Sequence, residues 1–227
     1  MSSVDATGLA HHFEDLEQQR EAATLGMWAF LVTEIMFFGG LFGAYVVYRT
    51  MYPEAWDNAS NQLDVFLGAV NTTVLIGSSL TMALAVRCAA KGNNKQVAGF
   101  TFLTLLLGLV FLGVKVIEYK HKWDHHLMPG PHFELNGVVG GHEQIFFALY
   151  FAMTGMHAFH MIIGAGLMLW VIIKALRNDY TPQNHTHVEM IGLYWHFVDI
   201  VWIFLFPLLY LLGKHGHDIA GAATGGH

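Results

Sequence analysis

Long apolar segments separated by short polar ones follow one another along the chain. Five of these segments reach the roughly 20 residues that a helix needs to cross a hydrocarbon core of about 30 Å. They are residues 25–48, 65–86, 97–117, 145–173 and 190–212. The pattern predicts an all-α membrane protein, a bundle of five transmembrane helices that accounts for most of the 227 residues.

The polar segments between these spans predict how the chain is organised. We expect a polar N-terminal segment (1–23), a five-helix transmembrane domain (24–213) and a mobile Gly/Ala/His-rich tail (214–227). Residues 49–64 are predicted to form a polar loop in which Pro53 ends the first helix, and residues 118–144 an irregular loop. The acidic N-terminal segment has no apolar core, which argues against a cleaved signal peptide.

Composition narrows the possible function classes. Charged residues make up 12% of the chain, against about 25% in soluble domains. The sequence has no basic cluster of the kind that binds nucleic acid. Its lone Cys88 excludes an intramolecular disulfide or a cysteine-built metal site. Lys and Arg number six in the loops on the side of the N-terminus and four on the other. This bias favours an N-terminus inside and a C-terminus outside.

Glu34 is the charged residue of the first apolar segment and the residue that most needs an explanation. At about 1.5 Å of rise per residue, it lies near the midplane of the membrane. An ionised carboxylate there costs about 2.5–3.5 kcal/mol on insertion scales. Glu34 is therefore protonated, paired, or turned towards protein. Two interpretations stay open, a hydrogen-bonded structural carboxyl and a group that exchanges protons.

Histidines and an aspartate lie in the last two spans. His157 and His160 are three residues apart and share a helix face, as do His196 and Asp199. We expect Asp199 to bond His196 and fix its tautomer. Together with Glu34, these residues predict a polar network inside the bundle. The network would join the helices through polar contacts. The alternative is a haem held by His157 and His196.

Other histidines lie in the predicted outer loops and the tail. They lack the regular spacing of metal ligands, so we expect solvated loop residues and no metal site. These histidines are His121, His125, His126, His132, His142, His215, His217 and His227.

Residues near the predicted helix ends suggest contacts with the membrane interface. Glu118, Trp195 and Trp202 are predicted to be interfacial, as in an aromatic belt. Lys174 and Arg177 end the fourth span, where they would reach phospholipid phosphates. The chain has no nucleotide-binding loop, Ser-His-Asp arrangement or redox dithiol, so no catalytic residue is predicted.

Short motifs occur in order in all five spans. Residues 194–202 read YWHFVDIVW, and the fourth span carries TGMHAFH at residues 154–160. The remaining matches are GMW at 26–28, TEIMFF at 33–38, NTTVL at 71–75 and EY at 118–119. Over about residues 20–213, the chain resembles subunit III of the haem–copper oxidases, as in cytochrome c oxidase.

This resemblance implies an accessory subunit of a proton-pumping terminal oxidase that passes electrons from cytochrome c to O2. In this family subunit I holds the haems and the haem–copper centre, and subunit II receives the electrons. Subunit III binds no metal, packs beside subunit I, holds structural phospholipid and supports proton uptake. Contacts with further small subunits are also implied. Glu34 would be the family's buried carboxylate, and Lys174 and Arg177 its lipid-phosphate contacts.

The resemblance also leaves alternatives. Longer members carry two additional N-terminal helices, which form one arm of the lipid-holding cleft. The five-helix form implies a bacterial enzyme and hence a multi-pass protein of the inner (plasma) membrane. Quinol oxidases and some nitric oxide reductase operons use a similar subunit, although Glu34 and the motif at 71–73 favour the cytochrome c branch. A stand-alone proton pathway is the alternative from a different class.

Overall fold

Six α-helices make up most of the structure, a computed structural model that describes residues 13, 15–130, 133–135, 138–139, 141–182 and 184–211. They are α1 (Leu16–Met51), α2 (Pro53–Ser60), α3 (Val65–Ala90), α4 (Asn94–Asp124), α5 (Glu143–Leu176) and α6 (Thr186–Phe206). α6 continues as a π-helical turn, Pro207–Leu211, and the strands β1 (Glu134–Leu135) and β2 (Val138–Val139) pair antiparallel before α5. Five of the described helices are long and apolar enough to span a membrane. The predicted five-helix membrane bundle is confirmed.

The helices extend beyond the apolar segments because polar caps, not hydropathy, set their ends. The side chains of Asp15, Asp64 and Asn93 accept bonds from Gln18 N, Leu67 N and Gln96 N, at 2.7, 3.1 and 3.3 Å. Each such bond satisfies an amide that has no partner within the first turn of its helix.

Both long predicted loops contain helix that the sequence analysis missed. α4 continues to Asp124, so the predicted irregular loop at 118–144 begins with helix. Pro53 follows the end of α1 as predicted, but it also occupies the first turn of α2, a position where its missing N–H has no cost.

The helices differ in how deeply the bundle encloses them. α3 and α4 form an antiparallel hairpin, α5 packs on α4, and α6 packs against both α3 and α5. α1 packs mainly on α5 and α6. Half of the apolar stretch of α6 is buried, against 17% of that of α1. α6 is therefore the central helix and α1 an edge helix.

Trp195 and Trp202, which the sequence predicts to be interfacial, have side chains buried between the helices of the bundle. Their side chains are 1% and 0% exposed. Trp195 Nε1 donates to Ser78 Oγ and Trp202 Nε1 to Thr72 Oγ1, each at 3.1 Å. These bonds join α6 to α3 and satisfy the indole N–H groups away from water.

Two glycines make room for Trp195. A Cβ on Gly108 of α4 would lie 2.9 Å from Trp195 Cη2, and one on Gly164 of α5 would lie 2.8 Å from Trp195 Cζ3. Any side chain at either position would displace the indole. The large tryptophan thus packs where α4, α5 and α6 approach closely.

Candidate functional site

Glu34 pairs with His160 across two helices. The Oε2 atom of Glu34 lies 3.0 Å from Nε2 of His160, and the two side chains are 18% and 10% exposed. Leu31 and Phe38, on the same face of α1, are buried on either side of the pair. The pair therefore lies between α1 and α5, with apolar groups above and below it.

The second nitrogen of His160 limits where the protons of this pair can be. Nδ1 lies 2.8 Å from the carbonyl oxygen of Met156, an acceptor, so Nδ1 carries a hydrogen. A further proton must then lie between Nε2 and Oε2, because otherwise two acceptors would face each other at 3.0 Å. The pair thus exists as imidazolium and carboxylate or as neutral imidazole and carboxyl.

The structure does not bring the other predicted polar residues together with this pair. His157 is fully buried, and neither ring nitrogen has a hydrogen-bond partner among the described residues. Its ring packs against Phe111 and Trp202, with centroids 5.5 and 5.1 Å away. A haem iron between His157 and His196 would require both aromatic rings to move.

His196 and Asp199 do not form the predicted pair. His196 Nδ1 bonds Ser79 Oγ at 2.7 Å instead. Asp199 is 2% exposed, and its polar neighbour is Ser79. Among the described residues, no donor lies in hydrogen-bonding geometry to either carboxyl oxygen. The single predicted network is therefore an ion pair at the edge of the bundle and separate polar groups in its interior.

A second charged group, which the sequence analysis missed, lies near the C-terminal end of α4. We call it the Lys–Glu cluster, defined by Lys115, Glu118, Lys122, Tyr150 and Tyr210. Glu118 Oε2 lies 2.7 Å from Lys115 Nζ, and Glu118 Oε1 lies 3.7 Å from Lys122 Nζ. The hydroxyls of Tyr150 and Tyr210 donate to Glu118 Oε1 at 2.8 and 2.6 Å.

The Lys–Glu cluster surrounds Glu118, which the sequence predicts to be interfacial, with buried partners. All three charged side chains are 8% exposed or less. Lys115 also donates to the Tyr210 hydroxyl at 2.7 Å and lies 4.5 Å from the centroid of the Trp202 ring. Such contacts offset the cost of removing charges from water. The sequence signal was available, since positions 115, 118 and 122 share one helix face.

The histidines near the ends of the bundle make local contacts. His121 stacks on His125 at 4.1 Å and His142 on Tyr52 at 4.3 Å between centroids. Within the described part of the chain, no three His, Cys, Asp or Glu side chains are arranged to hold a metal ion. The predictions for His132, His215, His217 and His227, and for the tail as a whole, fall outside the described residues.

The opposite end of the bundle carries the predicted lipid-phosphate residues. Lys174 Nζ lies 4.5 Å over the ring of Trp170, and Arg177 is an exposed C-cap residue of α5. Nearby, Arg20 of α1 pairs with Glu189 of α6 at 3.3 Å, and His185 bonds the same carboxylate at 3.1 Å. The end thus presents aromatic and charged groups together.

An apolar groove runs between α1 and α6, and we call it the α1/α6 groove. Its volume is about 510 Å³. Trp28, Ile35 and Phe38 of α1 and Phe197, Ile200 and Phe204 of α6 are among its lining residues. Trp28 also lines a neighbouring polar cleft with Glu17, Arg20 and Glu21. Trp28 is therefore shared by the walls of the groove and of a cleft that contains charged groups at the end of α1.

Comparison with known proteins settles the family. The family described as cytochrome c oxidase subunit III matches residues 4–214 of the chain. The chain belongs to the cytochrome c oxidase subunit III family. As an oxidase subunit III, it belongs to a complex with other oxidase subunits, and the five apolar helices make it a multi-pass membrane protein.

Individual relatives carry names from two branches of this family. The chain is 34% identical over 213 residues to the cytochrome c oxidase subunit 3 of Thermostichus vulcanus, covering 93% of this chain and 98% of that protein. It is 32% identical over 191 residues to the cytochrome c oxidase subunit 3 of Corynebacterium diphtheriae, covering 83% and 87%. The quinol oxidase subunit 3 of Bacillus spizizenii is 32% identical over 205 residues, covering 88% and 94%.

Proposed function

We propose that this subunit III is the accessory, metal-free subunit of a proton-pumping cytochrome c oxidase in a bacterial inner membrane. It packs beside subunit I, contacts subunit II and supports proton uptake. The single observation that carries this proposal is the Glu34–His160 pair, in which a carboxylate oxygen lies 3.0 Å from an imidazole nitrogen between two apolar helices. An ionisable side chain inside a membrane span is costly, so its presence there suggests a function.

We further propose that the α1/α6 groove binds a phospholipid acyl chain. Its lining is apolar over nearly its whole surface, and one of its two walls is α1, the least enclosed of the five long helices. The adjoining polar cleft carries Glu17 and Glu21 beside Arg20, whose guanidinium already pairs with Glu189. The proposed phosphate contacts are therefore Lys174 and Arg177 at the end of α5.

Purification of the complex tests the proposed function. A tagged chain isolated from native membranes in mild detergent should bring two larger subunits and haem absorbance with it. A reduced a-type band would support the cytochrome c branch, whereas haem bands without an a-type spectrum would favour a quinol oxidase. A colourless protein that purifies alone would contradict the accessory role.

The Glu34→Gln variant of that complex tests the role of the carboxylate. If Glu34 supports proton uptake, the variant should assemble with normal haem content but lose activity sooner during turnover. Thr33→Val, a neighbour whose hydroxyl bonds only its own helix at Phe30 O, is the matched control. Unchanged turnover lifetime in Glu34→Gln would overturn this part of the proposal.

A stand-alone proton pathway is tested separately. Liposomes that contain the chain without partner subunits should show no proton flux under a pH gradient. Flux that depends on Glu34 would instead favour the pathway.

A further inference from the structure

The way α1 is attached suggests a role for the Glu34–His160 pair beyond proton uptake. α1 packs on the bundle through one narrow stripe, in which Leu31, Phe38 and Tyr45 are buried. On its other faces, a Cβ added at Gly39, Gly40 or Gly43 would meet nothing within 4 Å. Apolar packing alone therefore holds this helix over a small part of its surface.

Polar contacts to other elements are widely spaced along α1. Arg20 pairs with Glu189 at one end, and the Tyr45 hydroxyl donates to the Leu208 carbonyl at 2.6 Å near the other. Among the described residues between these two, Glu34 makes the polar contact that reaches another helix. At about 1.5 Å per residue, it lies about 21 Å from Arg20 and about 17 Å from Tyr45.

This central contact depends on a proton. If the proton between Nε2 and Oε2 is removed, a carboxylate faces an imidazole lone pair at 3.0 Å. Should the imidazole move its remaining hydrogen to Nε2, its Nδ1 lone pair would face the Met156 carbonyl at 2.8 Å. Either arrangement replaces one hydrogen bond by a contact between two acceptors, which is repulsive.

The surrounding groups do not replace the lost bond. On α6, the Tyr194 hydroxyl donates to the His160 backbone carbonyl at 2.9 Å, and His196, which also lines the groove, bonds Ser79 Oγ at 2.7 Å, so both are already engaged. On α5, His157 is the nearest other titratable group and makes no hydrogen bond among the described residues. On α1, Thr33 bonds Phe30 O of its own helix. The tie between α1 and α5 therefore rests on the shared proton.

We propose that the Glu34–His160 pair is a proton-dependent contact that holds the middle of α1 against the bundle and sets the width of the α1/α6 groove. With the proton present, α1 stays closed on α5 and α6. When the proton leaves, the middle of α1 moves away while its ends stay attached, and the groove widens. The measurement below follows helix separation without added lipid, so it stands apart from the proposed function.

Cross-linking within the assembled oxidase tests this device. Ile35 of α1 and Ile200 of α6 line opposite walls of the groove and are 58% and 50% exposed. We would introduce Ile35→Cys and Ile200→Cys in a Cys88→Ser background and treat the complex with a short bismaleimide at a series of pH values. The intrachain product changes the gel mobility of this subunit alone, so cysteines of other subunits do not interfere.

Glu34→Gln in the same background is the reference at each pH. In this variant the Gln amide N–H donates to His160 Nε2, so the contact needs no titrating proton. The two introduced thiols react with the maleimide with the same pH dependence as in the parent. We expect the cross-linking rate of the parent divided by that of Glu34→Gln to be near one at low pH. The ratio should fall several-fold as pH rises, and recover on re-acidification.

Two further variants keep the test decisive. His160→Gln, which also removes the titrating pair, should abolish the pH dependence and serves as the reference if Glu34→Gln does not assemble. Tyr45→Phe removes a tie that has no titrating proton, so it should change the rate equally at every pH. A parent ratio that does not change with pH would overturn the proposal.

Discussion

The Glu34–His160 pair and the Lys–Glu cluster both place ionisable side chains between apolar helices, but the protein holds them differently. The pair joins an edge helix to the bundle through one contact, and its carboxylate is 18% exposed. In the cluster, Glu118 meets two ammonium groups and two phenols from three elements, and it is 8% exposed. A carboxylate with many partners stays in place when one contact is lost, whereas a contact that depends on one proton breaks when that proton leaves.

Removing the carboxylate of the cluster should have the largest effect. Glu118→Gln leaves Lys115 and Lys122 as buried like charges without an anion, and breaking a buried pair in this way costs about 3–5 kcal/mol. We expect loss of the assembled complex or a large drop in its thermal stability, followed by haem absorbance during heating. The double variant Lys115→Met/Glu118→Gln restores the net charge of the cluster and should recover part of the loss. Equal stability of the single variant and the parent would show that Glu118 does not hold this cluster together.

Removing the carboxylate of the pair should cost less. Glu34→Leu deletes one hydrogen bond, worth at most about 1.5–3 kcal/mol if either partner is charged. Because Glu34→Leu does not leave two buried ammonium groups without an anion, the same thermal measurement should show a smaller shift than for Glu118→Gln. If Glu34→Leu is the more damaging change, the contrast between a rigid cluster and a weakly held edge pair fails.

Two matched tyrosine variants compare the regions through a single hydroxyl. Tyr210→Phe removes a group that accepts from Lys115 and donates to Glu118. Tyr45→Phe removes a hydroxyl that donates to one backbone carbonyl. A neutral hydrogen bond contributes about 0.5–1.5 kcal/mol and one to a charged group about 1.5–3 kcal/mol. Denaturation of the two variants should therefore rank Tyr210→Phe as the less stable, and the reverse order would mean that the cluster tolerates a missing donor.

The smallest effect is expected at the exposed end of α1. The Arg20 side chain of the pair with Glu189 is 58% exposed, and exposed pairs contribute about 0.2–1 kcal/mol. Arg20→Ala should shift thermal stability slightly, and added salt should reduce the difference from the parent. A large shift that persists at high salt would indicate that Arg20 has a further partner in the complex.

Hydropathy alone determined the fold class of this protein. Five apolar segments long enough to cross a membrane leave few alternatives, because a backbone in lipid must bond within its own helix. Motif order was sufficient to indicate the family. The helix ends were less predictable, since they depend on single caps such as Asp64 and on a proline that begins α2 as well as following α1.

The candidate site, like the fold, has features that the sequence predicted and features that only the structure shows. The depth of Glu34 marked it as a residue in need of a partner, but only the packing of α1 on α5 decided that the partner is His160. Spacing along one helix suggested that Asp199 bonds His196, whereas α3 supplies Ser79 instead. Lys115, Glu118 and Lys122 share a helix face in the sequence, yet Tyr210 reaches Lys115 and Glu118 from a segment more than 90 residues away. Sequence determines which groups must be satisfied in an apolar solvent, and tertiary packing decides which groups satisfy them, because partners on different helices leave no trace in local spacing.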